Sequence, residues 1–240
     1  MRKNEKIINT FLDILYPRRC PVCDDIPVPR GRKICDGCKD RLIPITGPRC
    51  CKCSKPLKNS EQEYCRDCSR RTHLFDQGIG IFPYSTLLQE SLFRLKYGKR
   101  QEYGAFYGEL AAFYAREQAK KWKIDYIIPV PLHRKRLEKR GYNQAEIIAE
   151  AFGKKLNLPV KKNRLKRKVN TKPQKELNPA ERRKNMRGAF TFEGKLEGEK
   201  ILLIDDIYTT GSTLDEAARA LKKAGAGKVY FLVIAIGSEG

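Results

Sequence analysis

Two carboxylates and a run of hydroxyls stand together near the C-terminal end of the chain: Asp205 and Asp206, then Thr209, Thr210, Gly211, Ser212 and Thr213. The apolar run Ile201 to Ile204 precedes them, the habit of a strand buried on both faces in a parallel sheet. A helical pattern follows, with Leu214, Ala217, Ala218 and Leu221 on one face and a stop near Gly225. The hydroxyl-rich loop therefore lies between a strand end and a helix N-terminus, where free backbone N–H groups and the positive end of a helix dipole meet. Hydroxyls add donors, and Gly211 lets the backbone approach closely, so the loop suits a phosphate monoester. The carboxylates beside it repel phosphate but accept hydrogen bonds from vicinal sugar hydroxyls, or help to hold Mg²⁺. Together these features describe a ribose 5-phosphate site.

The elements that must position this loop alternate between strand and helix patterns, which predicts an α/β fold around a parallel sheet. Gly78 to Tyr84 reads as a short strand, Ser85 to Lys96 as a helix with Leu88, Leu92 and Leu95 on one face, and Glu102 to Lys121 as a long helix. Ile124 to Val130 is a second buried strand, running into Pro129-Val130-Pro131-Leu132. A basic turn, His133-Arg134-Lys135-Arg136, follows, and then Arg140-Gly141-Tyr142-Asn143-Gln144 opens another helix. A basic turn at the carboxyl end of a parallel strand is where an α/β sheet gathers its ligands, and Leu132, Arg134, Arg140, Asn143 and Gln144 are candidates to face a pyrophosphate. Lys228 to Ile236 is a last, very apolar strand. Between residues 161 and 187 there are twelve Lys and Arg against two acids, with Pro173 and Pro179 breaking any helix. That segment reads as an exposed basic loop, fit to fold over phosphates or to bind a nucleic-acid backbone.

Eight of the nine cysteines form a second pattern. Cys20-x₂-Cys23 and Cys35-x₂-Cys38 recur as Cys50-x₂-Cys53 and Cys65-x₂-Cys68, every member shifted by 30 residues. Each half supplies four thiolates, enough to close a tetrahedral Zn²⁺ site with no open position, which is the structural rather than the catalytic arrangement. Such a metal substitutes for a hydrophobic core that these polar segments lack. Glycine often follows the second cysteine of such knuckles; here Asp24, Lys39, Ser54 and Ser69 stand there instead. Cys51 is left over as a spare thiol.

The 240-residue chain carries 50 Lys and Arg against 28 Asp and Glu, a formal charge of +22. Two Zn(Cys)₄ centres of about −2 each lower this to about +18, still a surface for anionic partners. No run approaches the length of a membrane span. Ile7, Ile8, Phe11, Leu12, Ile14 and Leu15 make an amphipathic helix without the unbroken apolar centre of a signal peptide. A cytoplasmic protein is the expectation, and its cysteines then point to metal rather than disulfides. The composition divides the chain into residues 1–75, helix and double ribbon, and residues 76–240, the α/β part.

The stretch from Asp205 to Thr213 closely resembles the phosphoribosyl-pyrophosphate (PRPP) motif of type I phosphoribosyltransferases. The whole order looks like the ComF/ComFC family of bacterial competence proteins: cysteine repeat, P-V-P-L, R-G-Y-N-Q, then Thr171, Gln174, Leu177, Arg182 and Asn185, then D-D-I-Y-T-T-G-S-T. That resemblance implies a type I phosphoribosyltransferase fold behind an N-terminal zinc module, and a role in handling single-stranded DNA during natural transformation. It implies that Thr209 to Thr213 hold the 5-phosphate, that Asp205 and Asp206 take the ribose hydroxyls with Mg²⁺ bound largely through PRPP, and that the 131–136 turn faces pyrophosphate. Competence proteins of other kinds are implied as partners. No residue set in the sequence reads a purine or pyrimidine, so transfer to an acceptor stays open, and a nucleobase-salvage transferase with a zinc appendage is the alternative. Tyr97, Tyr103, Tyr107 and Tyr142 are candidates for stacking on DNA bases or for the core.

Overall fold

A computed structural model describes residues 17–29, 31–168 and 186–237. The amphipathic helix expected within residues 1–15 lies outside them, as do Thr171, Gln174, Leu177, Arg182 and Asn185. Four parallel strands form the central sheet: β1 (Gln77–Pro83), β2 (Tyr126–Pro129), β5 (Lys200–Tyr208) and β6 (Lys228–Ile236), in the order β1-β6-β5-β2. Burial follows the strand period on both faces. Leu202, Ile204, Leu232 and Ile234 enter one core, and Ile201, Leu203, Phe231 and Val233 enter the other. This double burial is why these strands read as unbroken apolar runs.

The first core is covered by α3 (Thr86–Tyr97), α4 (Gln101–Trp122) and α6 (Gln144–Leu156). Helix α6 packs so closely on α4 that a Cβ at Gly108 would sit 2.4 Å from the Ile148 carbonyl oxygen. Trp122 is core, stacked on Tyr230 at 4.5 Å. The second core is covered by α7 (Ser212–Lys223) and by a two-stranded antiparallel pair, β3 (Leu165–Arg167) with β4 (Phe190–Phe192). Part of the segment expected to be an exposed loop is thus a short strand: Leu165 is buried under β4, and Lys166 and Arg167 flank it. The 131–136 turn is also more ordered than its charges suggested. After Pro131 and Leu132 the chain forms α5 (Arg134–Arg140), whose first turn is capped by His133 Nδ1 accepting from Lys135 N at 3.3 Å. Gly141, at φ 83°, closes it in the left-handed conformation.

The two short helices α1 (Asp36–Lys39) and α2 (Arg66–Arg70) belong to the cysteine halves. The first knuckle of each half repeats the same backbone bonds: Asp24 N donates to Cys20 O at 2.9 Å and Ser54 N to Cys50 O at 2.8 Å, while Cys20 N donates to Asp25 O and Cys50 N to Lys55 O. Asp24 (φ 65°) and Ser54 (φ 68°) take the left-handed conformation for which glycine is usual. The halves then part company. Cys20, Val22, Cys38 and Leu42 join the first core, and Cys50, Cys53, Leu57 and Cys65 join the second. The segment between them and the start of the second half cross the open edge of β1, with Ile45 N donating to Ile81 O at 2.9 Å and Gly78 N to Lys52 O at 2.9 Å. Those bonds cover an edge that would otherwise be a template for aggregation.

Candidate functional site

Parallel register fixes the floor of the site. Pro129 pairs with Ile204, so Val130-Pro131-Leu132 leaves the sheet level with Asp205. Their carboxyl ends open on a cleft of about 570 Å³. Asp205, Asp206, Thr209 and Thr213 line it from β5 and the start of α7; Leu132, Arg140 and Gln144 line it from the β2 side. Seven predicted site residues, drawn from two distant stretches, therefore share one cavity.

The other predicted positions have different surroundings. Thr210 and Ser212 are tied to each other, Oγ1 to Oγ, at 2.9 Å. Gly211 sits at φ 75°, and a Cβ there would lie 2.6 Å from Tyr208 Oη. Asn143 is buried as the cap of α6, accepting from Ala145 N at 3.1 Å and donating to Val130 O at 3.1 Å. It joins the helix to the strand end and does not line the cleft. Arg134 is exposed, turned to Glu138 at 2.7 Å, and likewise lies outside the lining. Besides Arg140, the cations that α5 presents to the cleft are Arg136 and Lys139. Tyr208 is core: its ring stacks on Phe231 at 5.1 Å and meets Phe75 edge-on.

The adjacent acids have opposite electrostatic fates. Burial and the neighbouring charge of Asp206 push Asp205 well above the usual carboxylate range. Burial also opposes charge on Asp206, but Lys96 pairs with it and Gln144 Nε2 donates to its Oδ1 at 3.1 Å, so it is held below that range. Gln144 is itself oriented by Arg140. Arg167, half-buried and near Arg136, is pulled down to about 10 mainly by desolvation, with Asp205 opposing the shift. Lys96 and Phe93 escaped the sequence analysis because no motif surrounds them. They ride on α3, where Phe93 faces away from the buried leucines and Lys96 follows Leu92 by one turn, and only the tertiary fold carries them to the cleft.

The hydroxyl-rich loop is braced from behind. Asp215, in the first turn of α7, accepts from Arg71 Nη2 at 2.8 Å and from Leu74 N at 3.0 Å, and His73 Nδ1 lies 2.7 Å away. The same Arg71 nitrogen donates to Thr210 O at 3.0 Å. Arg71 follows Cys68 by three residues, so the loop rests on the second cysteine half.

In each half, Cys20, Cys23, Cys35 and Cys38, or Cys50, Cys53, Cys65 and Cys68, the four Sγ atoms lie within 4.8 Å of one another. Cys23–Cys35 and Cys53–Cys65 are at 3.7 and 3.6 Å. A tetrahedron of Zn–S bonds near 2.3 Å requires sulfurs about 3.8 Å apart, so both sets fit zinc. Cys51 is exposed and outside either set. Lys55, buried beside the second set with its Nζ 2.7 Å from Asp67, offsets the negative charge of four thiolates.

Comparison with known proteins agrees with this anatomy. Residues 11–69 match the double zinc ribbon domain, and residues 102–240 match the phosphoribosyl transferase domain. The competence protein ComFC of Bacillus subtilis is 32% identical over 200 residues, 80% of this chain and 79% of that protein. Competence protein F of Haemophilus influenzae is 29% identical over 198 residues, 80% of this chain and 85% of its own length. The DNA utilization protein YhgH of Escherichia coli K12 is 27% identical over 220 residues, 90% of this chain and 96% of its own. Among the described residues no helix is long and apolar enough to cross a membrane.

Proposed function

The chain belongs to the ComFC family of competence proteins, which join a double zinc ribbon to a phosphoribosyl transferase domain, and from that premise we propose that it binds PRPP with Mg²⁺ and handles single-stranded DNA in natural transformation. The observation that carries this reading is the shared cleft: an acid doublet and a hydroxyl loop on one side, with Arg136, Lys139 and Arg140 on the other. In this reading Thr209 to Thr213 receive the 5-phosphate, through backbone N–H groups at the start of α7 and through hydroxyls. Asp205 and Asp206 accept from the ribose diol, and Asp206 is already held anionic, which strengthens the bonds it accepts. A diol that reaches Asp206 shares it with Lys96, which keeps the local charge balanced. The cleft-lining cations of α5, Arg136, Lys139 and Arg140, face the pyrophosphate. Mg²⁺, held largely by the ligand's own phosphates, would neutralise that group further.

The division at residues 75 and 76 into a ribbon part and a transferase-like part, and a cytoplasmic location, belong to the same proposal, as do further competence proteins as partners. Calorimetric titration of PRPP with and without Mg²⁺ tests it. We expect saturable, Mg²⁺-dependent binding that Asp205→Asn plus Asp206→Asn abolishes; PRPP heats no larger than those of inorganic pyrophosphate refute a sugar-phosphate site. For the nucleic acid, single-stranded DNA is titrated at several salt concentrations. Four phosphate contacts give a log–log slope of about −3, and a flat slope rules out backbone binding.

A further inference from the structure

We propose that Phe93 and Tyr97 form a stacking platform for unpaired nucleobases at the mouth of the cleft. The inference rests on the single-stranded DNA reading and adds to it the place where the bases sit.

Phe93 and Tyr97 are one helical turn apart on α3, on the side away from the buried Leu88, Leu92 and Leu95. Helix α3 buries its leucine face and leaves these two rings outside: Phe93 is 54% and Tyr97 63% exposed. Exposing two large aromatic rings on adjacent turns forfeits the burial that usually places such side chains in a core. The rings contact each other with centroids 4.9 Å apart at 45°, so they present one continuous apolar surface. The Arg140 guanidinium stands 5.1 Å from the Tyr97 ring centre, a cation held against the same surface.

What surrounds the rings decides their occupant. Both line the cleft that contains the acid doublet. Its described lining holds six cations, Lys96, Lys99, Arg136, Lys139, Arg140 and Arg167, against the two carboxylates Asp205 and Asp206. An apolar protein segment would gain nothing from that charge, whereas a nucleotide strand matches both components. Its bases have π-faces for the rings, and its phosphates find Lys99, Lys139 and Arg140 nearby. Every base offers such a face, so the platform is expected to be tolerant of sequence. Duplex DNA is excluded on the same ground, because its bases are already stacked. The contrast with the other tyrosines is sharp. Tyr103 and Tyr107 are fully buried, and Tyr142 spends its hydroxyl on the Leu95 carbonyl oxygen. Phe113 and Tyr114 on α4 are also exposed, but they lie outside the cleft lining.

The test compares a short oligonucleotide carrying 2-aminopurine with one of equal length in which central bases are abasic. Unmodified protein is expected to quench 2-aminopurine and to bind the abasic strand more weakly, by roughly fivefold to a hundredfold for each stack lost. Phe93→Leu plus Tyr97→Leu, at two exposed positions, should lose the quenching, weaken the normal strand by the same factor and no longer distinguish the abasic one. Phe93→Tyr plus Tyr97→Phe keeps both rings and should restore binding. Equal affinity of the leucine variant for the normal strand overturns the platform, as does equal competition by duplex DNA. Oligonucleotide binding by the unmodified protein is scored separately: if no strand binds at all, the DNA reading itself fails, and if strands bind without regard to their bases, only the platform fails.

Discussion

Exchanging each aspartate of the doublet for asparagine should move stability in opposite directions, although the residues are adjacent. Asp206 pairs with Lys96 and accepts from Gln144 in a buried position. Asparagine keeps the oxygen facing Gln144 and removes the charge facing Lys96. Breaking a fully buried pair costs about 3–5 kcal/mol. Lys96 retains 21% of its side-chain exposure and can turn to water, so a loss of about 2 kcal/mol is the better expectation. In a protein of this size that is a fall in Tm of roughly 4–8 °C. Because the Asp206 pKa lies below its ordinary value of 3.8, this contribution is present above that value and disappears only as pH falls through the lower, folded one. The deficit of the Asp206→Asn variant should therefore be as large at pH 5 as at pH 7.5. Asp205 runs the other way. Its raised pKa means that folding opposes its ionisation, a penalty that grows as pH climbs from the unfolded value toward the folded one. Each unit of such a shift corresponds to about 1.4 kcal/mol. Asp205→Asn should thus raise Tm at pH 7.5 by a few degrees, with the gain vanishing near pH 4, while losing PRPP. Scanning calorimetry of the three proteins at three pH values decides the matter. If both variants shift Tm in the same direction at pH 7.5, the electrostatic account of the doublet is wrong.

Asp215→Ala removes the acceptor shared by Arg71, His73 and Leu74, and should lower Tm by several degrees and weaken PRPP by tenfold or more in calorimetry, although Asp215 is not a cleft residue. Gly211→Ala forces a side chain into a positive-φ position against Tyr208, so PRPP binding should fall sharply. Adding Tyr208→Phe removes the nearest clashing atom and should return part of it. Tyr208→Phe alone should be neutral or stabilising by about 1 kcal/mol, because the buried hydroxyl has no partner among the described residues. Metal analysis should find two zinc ions per chain. Their removal by a strong chelator should collapse a single cooperative unfolding transition, because the cysteines belong to both cores of the sheet; two independent transitions would contradict that integration.

Legibility followed the range of the forces involved. Strands buried on both faces write themselves into the chain as apolar runs, and Lys228 to Ile236 was readable to the residue. The thirty-residue repeat was equally plain, since paired C-x₂-C knuckles are a recognisable way to close a tetrahedral site and here they recur at one shift. Helix α5 was not, because Arg134-Lys135-Arg136-Leu137-Glu138-Lys139-Arg140 has no apolar face; only its caps, His133 and Gly141, mark its ends. Strand β3 hid inside a basic segment because a single buried leucine gives no period. Asp24 and Ser54 occupied glycine-like backbone without glycine's name. At the site, chemistry carried by the two motif stretches was legible, and the groups that no motif surrounds were not. Lys96 became visible only when α3 was laid across the strand ends.

The two cysteine halves gain their meaning from where they fall in that assembly. Asp24, in the first half, pairs with Arg100 at 3.2 Å and receives the Tyr103 hydroxyl, while Arg94 Nη1 donates to Val22 O at 3.2 Å. Those contacts seat α3 and the start of α4, and α3 carries Phe93, Lys96 and Tyr97 to one wall of the cleft. The second half, through Arg71, holds Thr210 and the first turn of α7 at the opposite wall. A duplication that began as two equivalent ribbons thus supports two walls that are chemically unlike, one aromatic and cationic, the other a hydroxyl loop. Neither wall is fixed by the sheet alone, since α3 and the loop both lie beyond its strand ends. A tetrahedral metal centre is stiff where a short polar segment is soft, and placing one behind each wall keeps the cleft's width independent of the small core such segments could build. That is a physical reason for a phosphoribosyl transferase fold to retain both ribbons.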